Sequence, residues 1–521
     1  MMRKQVKCST IVAASGLLLS VVILLSSFGS AYGAEAKPRY GGTLRLSDRV
    51  DEPLIGYPPK MSKPVALRQA APAIETLLRN DKTGRLVPWL ATGYKENSKA
   101  KTITLSLRKS VKFHDGTEFN AETVKWNLEQ SIAAHAAGTD KLKSVEVIDS
   151  FTVQLNLSSW DSTVSSNLAQ FLGMMISPAA YKKNGEDWCL NNPVGTGPFQ
   201  IVSRQKDVHT TYKKFDGYWQ KGKPYVDRIE FISIPDTLVR EMSLRKGEVD
   251  VIMAPALKNL AGFQKDGYLT IRVPAAAGAR VLVPDSARPN SPFAKLKVRQ
   301  AAQYAVDSQA IVKSIFSGYN EPANQEIYKG HWGYNTKVIG YPYDPAKARK
   351  LLAEAGYPNG FKTKLTYMTT AENDQVFTAV QGYLKAVGID AELDVAQVGK
   401  WNSVTTGAQW EGLWMGMASG SPDPVTLLVQ FYAGTNAAFS QMLIPDDYSR
   451  AVQNAVAASD FKTKQKWTQE AMRLLTDKYA LMLMVYYQWS FAVSQPFVRD
   501  HGILQSANTV QWTPETVWLA K

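Results

Sequence analysis

Asn192-Pro193-Val194-Gly195-Thr196-Gly197-Pro198-Phe199 opens the stretch 192–251 that decides the reading of this chain. Its Gly/Pro punctuation predicts a sharp turn into a strand. Tyr212-Lys213-Lys214-Phe215-Asp216-Gly217-Tyr218-Trp219 follows, with Gly222-Lys223-Pro224-Tyr225 behind it, as an aromatic loop between two strand signals. Residues 228–234 are rich in β-formers, and Asp236 stands where it can cap a helix running to Lys246. Gly247 stops that helix, and Val249-Asp250-Val251-Ile252 predicts a short buried strand. Strand, helix, strand is a crossover unit, so the expected core is α/β.

Working outward, Gly41-Gly42-Thr43-Leu44-Arg45-Leu46 predicts a first strand and residues 64–78 a helix. Residues 102–108 and 151–157 alternate as half-buried strands do. Between them Asn120 caps a helix that carries Glu122 in its first turn and Val124, Leu128 and Ile132 on one face. Residues 293–307 read as a helix pair, and Asp344-Pro345 opens a helix that Gly356 stops. A helix near 372–387, a strand near 389–395, two C-terminal helices and a last strand around 480–493 complete the pattern.

At 521 residues the chain exceeds one ordinary domain, and length alone suggests about three or four. Residues 1–36 stand apart: Arg3, Lys4 and Lys7 precede an apolar stretch at 11–25, followed by Ala31-Tyr32-Gly33 and Ala34-Glu35-Ala36. That order predicts a secretory signal peptide cut between Gly33 and Ala36, and the apolar stretch is short for a membrane span. Cys8 precedes the apolar stretch, so it is not placed to carry a lipid. The mature chain is expected to be soluble and extracytoplasmic, with Cys189 its one cysteine and no intrachain disulfide. Arg3, Lys4, Lys7 and Glu35 leave with the leader, which takes the formal charge from +14 to +12. That charge is spread without a long Lys/Arg run, which argues against a nucleic-acid partner.

His114-Asp115-Gly116 has the residue types of a proton relay, but Asp-Gly before the Asn120 helix is turn chemistry, and no nucleophile elbow accompanies it. Ser98-Lys99-Ala100-Lys101 and Lys82-Thr83-Gly84 stand in the reverse of the order found in penicillin-binding enzymes. The five histidines show no metal-ligand spacing, and His331 beside Trp332 is the one placed near a pocket. No catalytic residue, metal or cofactor is expected. Trp332, Tyr334, Trp401, Trp410, Trp414, Tyr486, Tyr487 and Trp489 all fall in the second half. Half of such aromatics belong to cores, and the remainder suit an apolar cleft with a few polar anchors.

Gly195–Phe199, Asp216-Gly217-Tyr218-Trp219 and Gly247-Glu248-Val249-Asp250 resemble the family 5 solute-binding proteins of ABC importers, the oligopeptide, dipeptide and nickel group. So do the Gly41-Gly42 entry, Phe113-His114-Asp115-Gly116-Thr117, Val298-Arg299-Gln300-Ala301 and Leu351-Leu352-Ala353-Glu354-Ala355-Gly356-Tyr357, all in family order. The resemblance covers nearly all of 37–500. It implies a two-lobed periplasmic binding protein fold of type II, with an inserted α/β domain and a ligand cleft between hinged lobes. Residues 37–80, 190–272 and 490–521 would form the first lobe, 81–189 the inserted domain and 273–489 the second lobe. It implies a monomeric periplasmic protein that hands a small solute, peptide-like or otherwise organic, to the transmembrane permease. A secreted hydrolase acting on cell-wall or polymer fragments is the alternative.

The passage from Trp414 to Pro424 corresponds to the segment with which family members line the cleft. Peptide binders carry an aspartate four residues before the Pro, where this chain has Gly420, and oligopeptide binders place an arginine where it has Trp414. The resemblance therefore implies a more aromatic, less charged wall. Expected ligand contacts are Trp332, Tyr334, Trp401, Trp414, Met417, Ser419, Asp423, Tyr487 and His331.

Overall fold

The crossover read from 192–251 forms the middle of a seven-stranded sheet. The computed structural model describes residues 37–61, 64–273, 279–405, 409–417, 422–433, 438–503 and 512–521. The sheet runs in the order Leu269–Val273, Ser490–Ser494, Val251–Met253, Thr43–Asp48, Arg228–Ser233, His209–Lys214, Phe199–Gln205. Thr43–Asp48 is parallel to both of its neighbours, with Leu46 opposite Phe231 and Val251. The helix Thr237–Arg245 makes the crossover, and the Asp236 carboxylate accepts from Val239 N at 2.8 Å. Leu44, Leu46, Ile229 and Phe231 bury one face of the sheet, while Ile252 and Val493 bury the other against Leu244, Leu260 and Phe263.

The Gly-Thr-Gly-Pro-Phe motif is a close backbone contact. A Cβ at Gly195 would stand 2.2 Å from the Ala73 carbonyl oxygen, and one at Gly197 2.5 Å from that of Pro72. Only glycine permits the hydrogen bonds from Gly197 N to Ala73 O and from Phe199 N to Pro72 O, at 3.0 and 2.9 Å. Thr196 Oγ1, Tyr218 Oη, Trp219 Nε1 and Trp89 Nε1 all donate to the buried Glu75 carboxylate at 2.8–3.0 Å. Burial raises the Glu75 pKa above the usual carboxylate value. Two motifs distant from residue 75 thus meet on one carboxylate.

A second sheet of six strands runs Glu321–Pro322, Leu483–Tyr487, Ala279–Pro284, Leu413–Met417, Phe361–Met368, Ile389–Ala396. Leu282, Leu365 and Leu413 bury one face under the helices Leu296–Ala305, Pro345–Glu354 and Ala371–Lys385. Val281, Val283 and Trp414 bury the other with Tyr432, Tyr448 and Met472. A four-stranded antiparallel sheet, Ala91–Asn97, Thr102–Leu107, Thr152–Leu157, Leu142–Asp149, packs on the helix Ala121–Ala133. Asn120 caps that helix, accepting from Thr123 N at 3.1 Å.

Two expected elements divide. The helix expected over 64–78 spans only Pro64–Ala70, because Pro72 disfavours the helical conformation at Ala71; Leu78–Asn80 is then a strand. The strand expected over 480–493 is two strands, Leu483–Tyr487 in the second sheet and Ser490–Ser494 in the first. The chain therefore passes between these sheets twice, from Val273 to Ala279 and through Gln488-Trp489. No helix among the described residues is long and apolar enough to cross a membrane.

Candidate functional site

Both passages converge on the strand Ala279–Pro284, flanked by Leu483–Tyr487 and Leu413–Met417. Its sequence, Ala-Arg-Val-Leu-Val-Pro, is apolar except for Arg280, which is paired in register with Met417 and Tyr486. Arg280 is 7% exposed. Its Nη2 donates to Gln488 Oε1, in the second passage, while Nε and Nη1 have no partner among the described residues.

Other polar groups at the joint share that condition. The Glu326 carbonyl oxygen accepts from Ala279 N at 3.0 Å, and its Oε1 accepts from Tyr432 Oη at 3.4 Å. Its Oε2 is buried with no partner among the described residues. Burial lifts the Glu326 carboxyl well above the usual carboxylate range. Tyr328 Oη and Trp489 Nε1 are also buried and unpartnered among the described residues, and the two rings meet edge to face at 5.4 Å. The Arg272 guanidinium covers the Trp489 ring at 3.8 Å and pairs with Glu321 at 2.5 Å. Native structures leave few buried polar atoms unsatisfied, and ligand sites favour the seams between lobes.

The expected contacts fall into three groups. In the first, Trp332 Nε1 donates to Gly84 O at 3.2 Å. Gly84 has φ +85°, and a Cβ there would stand 2.1 Å from His331 Nε2. His331 Nδ1 accepts from Gly333 N at 3.2 Å and Nε2 lies 2.8 Å from Pro422 O, so the ring is neutral with its proton on Nε2. Burial lowers its pKa to about 4. Asp423 Oδ1 accepts from Val425 N at 2.9 Å, and Oδ2 takes Lys464 Nζ at 2.5 Å together with the Ser166 hydroxyl. Lys464 Nζ also donates to Ser162 O at 2.8 Å, so this ion pair ties residues 162–166 to the helix Phe461–Arg473. Trp332, Asp423, Lys464, Arg85 and Glu96 line a cleft of about 40 Å³, space for a water or two.

In the second group Trp414, 2% exposed, stacks on the half-buried Trp401 with centroids 5.0 Å apart. In the third, Tyr487 Oη lies 2.8 Å from Gln325 O, and Tyr334 Oη donates to Asn324 Oδ1 at 3.4 Å. Asn324 helps line a cavity of about 360 Å³ with Val306, Tyr341 and Met484. Met417 ends its strand, and Ser419 and Gly420 lie outside the described residues. His331 links the first group to the joint, since Tyr328 packs edge-on against it at 5.5 Å. Sequence reading missed Arg280, Glu326 and Tyr328; the one available signal was a lone arginine inside an apolar strand.

Residues 85–439 match the profile of the bacterial extracellular solute-binding proteins, family 5 Middle. The chain belongs to that family. The glutathione-binding protein GsiB of Pectobacterium atrosepticum is 34% identical over 332 residues, 61% of this chain. The match spans 63% of that relative, less than two thirds of its length. HbpA2 from Haemophilus parasuis superposes with a TM-score of 0.81 at 21% identity, covering 92% of this chain and 100% of that one. The periplasmic binding protein DppA from Helicobacter pylori, in complex with peptide STSA, gives 0.72 at 24%, covering 93% and 99%. At these identities the structures establish the fold, the two-lobed α/β fold of family 5 binding proteins.

In this family 5 chain the His114-Asp115 pair makes a turn. Asp115 Oδ1 accepts from Thr117 N at 3.1 Å and Oδ2 from Ser177 Oγ at 2.5 Å, while His114 Nε2 lies 2.9 Å from Gly197 O. The His114 ring is buried, which lowers its pKa to about 4. His114 is engaged by the backbone at Gly197, and Asp115 by Thr117 and Ser177.

Proposed function

We propose that this chain is the periplasmic substrate-binding protein of an ABC importer, a monomer that captures a small organic solute and delivers it to the permease without making or breaking a bond. The observation that carries this reading is a set of buried polar groups, without partners among the described residues, on the segments that meet where two sheets are connected by two chain passages. Two passages permit the sheets to hinge, and a solute held at the joint would favour the closed arrangement. The lobes are those named above, 37–80 with 190–272 and 490–521, then 273–489, with 81–189 inserted. A peptide-like solute is supported by the name of the glutathione-binding relative. Trp332, Tyr334, Trp401, Trp414, Met417, Ser419, Asp423, Tyr487 and His331 are proposed to line or back the cleft.

A melting-temperature screen against peptides, amino acids, sugars and organic acids tests the reading. A solute at 100 times its Kd stabilises by about 2.7 kcal/mol, which the screen would register. A solute that raises the melting temperature and is recovered unchanged by mass spectrometry supports a binding protein. Turnover of that solute would establish the hydrolase instead.

A further inference from the structure

We infer that Arg280 is the anchor for a carboxylate on the solute, an inference that rests on the binding-protein reading above. Arg280 sits in a strand whose every residue is buried, and its guanidinium makes one hydrogen bond, to the neutral Gln488 side chain. No ion pair reaches it among the described residues, and two of its three nitrogens are without partners there. A guanidinium stays charged at any physiological pH, so burial without a counterion disfavours the ligand-free fold. Other buried arginines of this chain show what satisfaction looks like. Arg240 donates to the carbonyl oxygens of Met253, Ile234 and Ala254, and Arg299 to those of Tyr479, Phe293 and Ala294. Among the described residues Arg280 alone of these three is left with two nitrogens without partners.

Glu326 does not supply the missing charge: among the described residues no ion pair joins it to Arg280, and its Oε1 accepts from Tyr432 Oη at 3.4 Å. Glu326 Oε2, Tyr328 Oη and Trp489 Nε1 are likewise buried without partners among the described residues. A carboxylate is the matching group: it takes charge-assisted hydrogen bonds from the guanidinium and neutralises it in one contact.

The test is affinity selection by native mass spectrometry from a mixed pool. It contains tripeptides, dicarboxylic acids and amino acids, each as free acid and as primary amide. Wild type should retain acids over their amides by at least tenfold, and Arg280→Gln should lose that retention by at least tenfold. Arg280→Met supplies the second readout: its ligand-free melting temperature should equal or exceed that of wild type, because an unpaired buried charge has been removed. Equal retention of acids and amides, or undiminished retention by Arg280→Gln, overturns the anchor while leaving a solute-binding protein standing. A lower melting temperature for Arg280→Met makes Arg280 a structural residue and overturns it too. A wild type that retains nothing overturns both this inference and the binding-protein reading.

Discussion

Replacing Lys464 by Met probes whether Asp423 acts through the ion pair seen here. Lys464 Nζ holds Asp423 Oδ2 at 2.5 Å and Ser162 O at 2.8 Å, and both side chains are at least nine-tenths buried. Removing one partner of a buried pair costs roughly 3–5 kcal/mol, because the other charge is left uncompensated. Asp423 keeps the Ser166 hydroxyl and Val425 N, so the lower end applies, about 3 kcal/mol. Removing the second charge as well, in Lys464→Met with Asp423→Asn, should bring the protein back to within about 1 kcal/mol of wild type. Urea denaturation followed by tryptophan fluorescence measures all four corners of the cycle, and the coupling should be at least about 2 kcal/mol. A Lys464→Met protein within about 0.5 kcal/mol of wild type, or a double variant as unstable as the sum of the singles, would show that the two charges are not coupled. An Asp423→Asn protein with normal stability but abolished solute binding would instead make Asp423 a solute contact.

Gly195→Ala should destabilise by about 2 kcal/mol or more, since its Cβ meets a backbone carbonyl that cannot rotate away; thermal denaturation checks this. Trp414→Ala should cost about 3–5 kcal/mol of stability, whereas Trp401→Ala, half-buried, should cost less, a ranking that the same melts decide. The His331 pKa is lowered to about 4, so the unfolded chain binds the proton first as pH falls below about 6.5. This group therefore removes about 2 kcal/mol of stability between pH 7.5 and pH 5, and His331→Asn should flatten that part of the stability–pH curve; an unchanged slope would contradict the burial of the ring.

The fold was legible because its signals are local. Asp236, Gly247 and Asn120 announce helix ends through groups that act within one turn, and the alternation at 102–108 shows a strand half in solvent. The helix over 64–78 misled where one proline outweighed a run of helix formers. The reason for the Thr196, Tyr218 and Trp219 motifs was not legible, since Glu75, on which they converge, lies more than a hundred residues upstream. The site was harder still. Aromatics at strand ends look alike in sequence, and which side of the second sheet Trp414 faces is fixed by pairing with Val283, far away in the chain. Arg280 reads as an interruption in an apolar strand until the structure shows two of its nitrogens without partners among the described residues.

The most direct test of solute capture is native mass spectrometry of the protein as purified, followed by calorimetric titration of any recovered small molecule back into stripped protein. One molecule per chain is expected, rebound with one-to-one stoichiometry and chemically unchanged. Protein that carries no solute, gives no binding heat with the pooled solutes, or returns the molecule cleaved would contradict it.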